Sequence, residues 1–232
     1  MLRAWKVFCY SLGALVLIVA AVQCWFFAHI LWWRVYQPET TAFMEVRVER
    51  LREKDAKAKL AHQWVPYERV SAQLKRAVVA AEDANFVEHE GFDWQGMYRA
   101  LALDFRKHKV VAGGSTISQQ LAKNLFLSGR RTPWRKAEEA LITLMLEKLM
   151  TKRRILEIYL NVIEWGDGVF GAEAAALRYF NTTAARLSPE RAARLAAIVP
   201  NPRFYEKHPA APGLRNKTAL ILGRIGSAEI PD

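Results

Sequence analysis

Residues 71–91 read Ser71-Ala72-Gln73-Leu74-Lys75-Arg76-Ala77-Val78-Val79-Ala80-Ala81-Glu82-Asp83-Ala84-Asn85-Phe86-Val87-Glu88-His89-Glu90-Gly91. A serine can accept the first free amides of a helix, and Leu74, Ala77, Val78 and Ala81 return at the spacing of one helical face. The spacing predicts a helix opened by Ser71 that delivers Glu82 and Asp83 at its end, where Asn85 to Gly91 form a loop. Val78 to Ala81 precede Glu82 and Phe86 follows it, so part of its surroundings is apolar. Desolvation disfavours a charged carboxylate and moves its pKa toward the range useful for proton transfer. The same residues also describe an ordinary surface carboxylate at a helix end. Periodicity alone does not separate the two.

Toward the C-terminus the helical pattern repeats. Trp94 to Lys107 is amphipathic, Val111 to Gly114 is flexible, and Ser115 or Thr116 caps a helix that turns Ile117, Leu121 and Leu125 inward. Gln119, Gln120, Lys123 and Asn124 lie off that stripe. Thr132 followed by Pro133 starts a long helix to Met150, expected to carry Leu141, Leu144, Met145 and Leu149 inward. Thr151 opens another through Ile163, closed by Trp165 to Gly168; Ser188-Pro189-Glu190 begins an Ala-rich helix that stops at Pro200, and Asn216 to Gly223 forms the last. Alternating strand patterns are scarce and no long repeat is present. The expected fold class is mainly α.

Toward the N-terminus, Val7 to Trp33 contains no Asp, Glu, Lys or Arg. As a helix this run is about 40 Å long, enough to cross a hydrocarbon core of about 30 Å with some tilt. Arg3 and Lys6 precede it, and Trp25, Trp32, Trp33 and Tyr36 crowd its far end as an aromatic belt. The run is too long for a signal peptide and lacks a small-residue cleavage site, so it is expected to stay as a single-pass anchor. The basic flank from Arg34 to Lys54 leaves its orientation open. The expected divisions are a short terminus at 1–6, the anchor at 7–33, a charge-rich linker or juxtamembrane helix at 34–66, and one folded domain at 67–232. Cys9 and Cys24, the only cysteines, both fall in the apolar run, which excludes a disulfide framework or thiolate metal site elsewhere. The net charge of +11 suits an anionic partner, whether nucleic acid, phospholipid head groups or a pyrophosphate.

Two further clusters bear on chemistry. Gly113-Gly114-Ser115-Thr116 opening a helix can bring free backbone amides to an anion, although a simple loop and cap reads the same way. Lys123 lies along that helix, and Arg130, Arg131, Arg135 and Lys136 form the densest basic cluster, suited to phosphate or to plain solvation. Glu139 sits four and three residues after Arg135 and Lys136; an intrahelical salt bridge is its default explanation. In the alternative, those cations keep it ionised, ready for a metal or a charged transition state. The histidines are scattered without zinc-ligand spacing.

Glu82 to Gly91 matches an EDxxFxxHxG signature, Gly113 to Asn124 resembles GGSTIxQQLxKN, and Arg135 to Ala140 resembles RKxxEA. Lys152 to Asn161 and Gly168-Val169-Phe170-Gly171 supply two more ordered blocks. Together they resemble the lysozyme-like peptidoglycan glycosyltransferases, found also as the N-terminal module of bifunctional penicillin-binding proteins. The departures are Thr151 where Ser is usual and Phe170 where Tyr is frequent. With no room after Asp232 for a transpeptidase domain, the expectation is a monofunctional member. The resemblance implies a single lysozyme-like helical domain that polymerises lipid II, the growing glycan chain serving as donor. A β-1,4 bond forms with inversion and undecaprenyl pyrophosphate leaves. It implies Glu82 as the general base and Glu139 as a second carboxylate on the leaving-group side. Lys123, Arg135 and Lys136 fall on pyrophosphate-contacting positions, and Ser115, Thr116, Gln120 and Asn124 on the cleft lining. No cofactor is implied with certainty; a divalent cation, Mg2+ or Mn2+, at the pyrophosphate is left open. The implied partners are lipid II, the growing glycan, the membrane and other cell-wall synthesis or division proteins, with no nucleic acid. The implied place is the bacterial inner membrane, with the catalytic domain in the periplasm. Two rivals stand beside this: a lytic enzyme acting on finished peptidoglycan, which has no pyrophosphate to bind, and a noncatalytic scaffold, which would tolerate Glu82→Gln.

Overall fold

The computed structural model describes residues 2–98, 114–127 and 132–232, with the side chain of Leu2 excepted. Most of the Trp94 to Lys107 helix, Gly113, Arg130 and Arg131 therefore lie outside the described residues. The chain divides into two units, residues 1–37 and 38–232. The first is helix α1 (Leu2–Trp33), long and apolar enough to cross a membrane and exposed along most of its length. Such a helix fits a membrane anchor.

The second unit begins at Pro38, so much of the stretch expected to be a linker is folded into it. Thr41 accepts the amide of Met44 and opens α2 (Ala42–Arg52), whose Met44 is buried and which packs on α4. Ser71 caps α3 (Ala72–Glu82) as its spacing required, and Thr116 rather than Ser115 caps α4 (Ile117–Phe126). Thr132 caps α5 (Pro133–Leu149), Thr151 caps α6 (Lys152–Val162), and Ser188 caps α8 (Pro189–Ile198). Helices α7 (Ala172–Phe180), α9 (Pro202–Lys207) and α10 (Pro212–Leu222) are the other helices among the described residues of the unit. Helix α8 packs on both α3 and α10, while α4 packs on α2, α5 and α6.

One expected face is overturned. Helix α5 turns Glu139, Ile142, Thr143 and Leu146 inward, and leaves Leu141 48% and Leu144 45% exposed. The helix is apolar on more than one side, so two stripes fitted the sequence and packing against α4 selected the one that contains Glu139.

Three short strands join the helices: β1 (Ala61–His62), β2 (Glu164–Gly166) and β3 (Val169–Phe170). The sheet order is β1-β3-β2, with β1 parallel to β3 in the register Ala61 to Val169 and β2 antiparallel across a bulge. Asn161, fully buried, fastens this corner. Its side chain accepts from the Val65 amide at 2.9 Å and donates to the carbonyls of Val65 and Glu157. Gly171 adopts φ +83°, and a Cβ there would lie 2.8 Å from the Asn161 carbonyl, so only glycine fits.

Candidate active site

Glu82 is the last residue of α3, and the backbone changes direction at Asp83, which is extended. The Asp83 carboxylate is buried and committed on both oxygens. Oδ2 accepts the amide of Ile117, the first residue of α4, at 3.0 Å, and Oδ1 accepts from His89 Nε2 at 2.9 Å. His89 Nδ1 in turn accepts the Gly91 amide at 3.1 Å, which leaves the ring proton on Nε2. Thr116 donates its hydroxyl to the Gly91 carbonyl at 2.7 Å and forms a reciprocal capping box with Gln119. Gly91 has φ +90° and crowds Thr143 so closely that a Cβ would meet it at 2.8 Å. The Asp, His and Gly of the first block thus dock the loop onto the start of α4. They fix where Glu82 stands relative to Gln120.

Gln120 donates Nε2–H to Glu82 Oε2 at 2.9 Å, and its Oε1 accepts from the Tyr159 hydroxyl at 2.8 Å. The other carboxylate oxygen, Oε1, is buried without a hydrogen-bond partner among the described residues; Lys217 Nζ of α10 stands 3.9 Å away. The Glu82 side chain is only 10% exposed. Burial raises its pKa above the ordinary 4.5, while the Gln120 hydrogen bond, Lys217 and Lys123 pull the other way and Asp83 adds to the rise. Burial also lowers the pKa of Lys217, opposed by Glu82.

Two polar cavities are lined by the two partners of this contact. The first, about 230 Å³, is walled by Ala80, Glu82, Met97, Gly114, Ser115 and Arg224 among others. The second, about 270 Å³, takes in Gln120, Lys123, Asn124, Glu164, Asn201 and Arg203. The Glu82 to Gln120 hydrogen bond joins a residue of one wall to a residue of the other. A buried carboxylate of raised pKa at such a place can take a proton from a bound hydroxyl, and cations within reach can stabilise developing negative charge.

Of the residues expected in the site, Glu82, Ser115 and Thr116 line the first cavity, and Gln120, Lys123 and Asn124 the second. Gln120 is engaged by Glu82 and Tyr159, and Thr116 and Asn124 are committed to the protein as well. The Thr116 hydroxyl holds Gly91, and Asn124 donates to the Gln120 carbonyl at 2.8 Å. Arg135, Lys136 and Glu139 line neither cavity. Glu139 is buried; Lys136 contacts its Oε1 and Arg135 Nη1 lies 3.8 Å from its Oε2. The intrahelical pair is present, but it is not the exposed pair that its spacing suggested.

A family model described as Transglycosylase matches residues 48–225. Three curated relatives carry the name biosynthetic peptidoglycan transglycosylase. The protein from Nitrosospira multiformis is 56% identical over 98% of this chain and 97% of its own. That from Methylobacillus flagellatus is 60% identical over 94% and 95%, and that from Chromobacterium violaceum 57% over 95% and 96%. The chain belongs to the transglycosylase family. Its helical domain is the lysozyme-like one of that family, and all five sequence blocks fall inside the matched residues.

Membership clarifies what the blocks do here. In this transglycosylase, Lys152 contacts Glu147 at 2.9 Å and stacks over the Phe86 ring, and Ser118 donates to the same Glu147, so parts of three blocks serve packing. Sequence reasoning missed Lys217, because nothing near it in the chain marks it, and missed the separate jobs of Asp83 and His89. No group of three or more His, Cys, Asp or Glu able to hold a metal exists among the described residues. Glu139, already between two cations, does not fit a divalent cation unaided.

Proposed function

We propose that this transglycosylase polymerises lipid II into β-1,4-linked glycan, with Glu82 as general base. The Glu82 carboxylate carries the reading: it is nearly buried, raised in pKa, held by Gln120 at one oxygen, and belongs to a residue of the cavity wall. The 4-hydroxyl oxygen of the incoming GlcNAc attacks the anomeric carbon of the growing chain, and its proton passes to Glu82. The bond from that carbon to the pyrophosphate breaks, and the electron pair departs with undecaprenyl pyrophosphate, inverting the configuration. Lys123, with Arg135 and Lys136, offsets the charge that develops there, and Glu139 orients the last two. Ser115, Gln120 and Asn124 shape the cleft, while Thr116, its hydroxyl on Gly91 and its amide on Gln119, supports the cleft wall. The names of the relatives support the biosynthetic reaction over the lytic one.

A membrane-borne substrate also accounts for α1. The proposal places it in the inner membrane with residues 38–232 on the periplasmic side, where protease added to spheroplasts should cut beyond Trp33. Labelled lipid II with the full-length chain tests the reaction. Glycan polymer and released undecaprenyl pyrophosphate are expected; muropeptide fragments from finished peptidoglycan without polymer would overturn it.

A further inference from the structure

We propose that Tyr159 acts through Gln120 as a positioning residue that fixes the orientation of the Glu82 carboxylate. The inference rests on Glu82 being the base. Gln120 Nε2 sits between two acceptors, Glu82 Oε2 at 2.9 Å and the Ser115 carbonyl at 3.4 Å. A flipped amide would put Oε1 against both, acceptor facing acceptor, so the side chain has one stable orientation. Tyr159 enforces it from the other end, donating its hydroxyl to Oε1 at 2.8 Å. Tyr159 is fully buried on α6, and burial, with Glu82 and Asp83 nearby, pushes its pKa well above 10, so it stays a neutral donor. The consequence is an asymmetric carboxylate. Oε2 is engaged by Gln120, whereas Oε1 is closed off beside Lys217, with no hydrogen bond among the described residues. The hold of Gln120 on Oε2 therefore sets how the carboxylate meets the cavity.

The charged and titratable groups around Glu82 come from four elements: Lys217 on α10, Lys123 on α4, Asp83 beyond α3, and Tyr159 on α6. Tyr159 alone reaches Glu82 through an intervening amide. Its loss should therefore alter Glu82 only while Gln120 is present. That sets it apart from a packing residue.

The test uses the full-length chain in phospholipid vesicles containing labelled lipid II, and measures the pH dependence of kcat/KM. Tyr159→Phe keeps the ring but frees the amide. It should lower kcat about tenfold and move the acidic limb upward by about one pH unit, the size of one hydrogen bond to a charged group. Gln120→Met should move the limb the same way, and carries the test if the phenylalanine variant does not fold. Adding Tyr159→Phe to Gln120→Met should then change nothing further in the limb. A Tyr159→Phe profile superimposed on wild type, or a shift that persists undiminished without Gln120, overturns the proposal. Glu82→Gln in the same assay separates the two levels. If it still polymerises, the base assignment falls and this inference with it; if it is inactive while Tyr159→Phe matches wild type, only the positioning role falls.

Discussion

Two carboxylates on separate helices of this domain are both largely withdrawn from solvent, and their surroundings differ sharply. Glu82 closes α3 with one amide donor on Oε2, no donor on Oε1 and an ammonium group 3.9 Å off. Glu139 lies within α5, between Lys136 and Arg135. The first is stripped of water faster than it is compensated, which favours its neutral form. The second has its charge matched by two cations, one of them 53% exposed at the side chain. Burial therefore fits one for accepting a proton and the other for holding cations in place.

The strongest way to break this contrast is Glu82→Gln. General-base catalysis is worth about 10²- to 10⁴-fold, and polymerisation of lipid II should fall by that much or more. The stability response has a definite sign. Because the folded-state pKa of Glu82 lies above 4.5, the folded protein binds this proton more tightly than the unfolded chain. The stability this gives is complete below about 4.5 and is lost as pH rises through the folded value. At neutral pH the ionised group opposes folding, so Glu82→Gln should melt higher than wild type near pH 7.5, with the advantage gone below pH 4.5. An equal or lower melting temperature at neutral pH would contradict the desolvated environment.

Glu139→Gln should act in the opposite sense on stability. It leaves two cations without their partner beside a buried site, at a cost of about 2 kcal/mol, visible as a melting point lower by several degrees. If Glu139 orients those cations for the leaving group, kcat should also fall about 10²-fold. Destabilisation with unchanged turnover would reduce Glu139 to packing.

Smaller still is the effect expected of Lys217→Met. Lys217 lowers the pKa of Glu82, so its removal raises it, and the acidic limb of the rate profile should move to higher pH. Activity should drop about threefold on that limb and recover in alkaline buffer. A uniform loss across pH would mean Lys217 touches substrate instead. Finally, the pair between Lys148 and Glu90, 3.1 Å apart with side chains 72% and 80% exposed, gives the solvated baseline. Lys148→Ala should change stability by under about 0.5 kcal/mol and leave turnover alone.

Much of this was legible along the chain. Ser71, Thr132, Thr151 and Ser188 cap the helices they were expected to cap, and Glu82 falls at the end of its helix as the spacing demanded. Helices α7 and α9 and the three short strands went unnoticed, since two to nine residues carry little periodicity to register. Over 34–66 the expectation was a charge-rich linker or juxtamembrane helix, and α2 lies there; its packing on α4 left no mark in the sequence. Only Met44 of α2 is buried, and one contact face on a polar helix leaves little trace in composition.

The sequence by itself determined whatever a few adjacent residues settle: the apolar run of α1, the side-chain caps, and the chemical identity of the two carboxylates. Those are fixed by hydrogen bonds and spacings closed within one or two turns. Tertiary structure alone decided which stripe of α5 faces inward. It alone brought Lys217 to Glu82, made Asp83 and His89 a clamp on α4, and set Tyr159 behind Gln120. Each of these depends on distances between helices far apart in the chain. Such distances are set by how whole faces pack, and no local spacing encodes them.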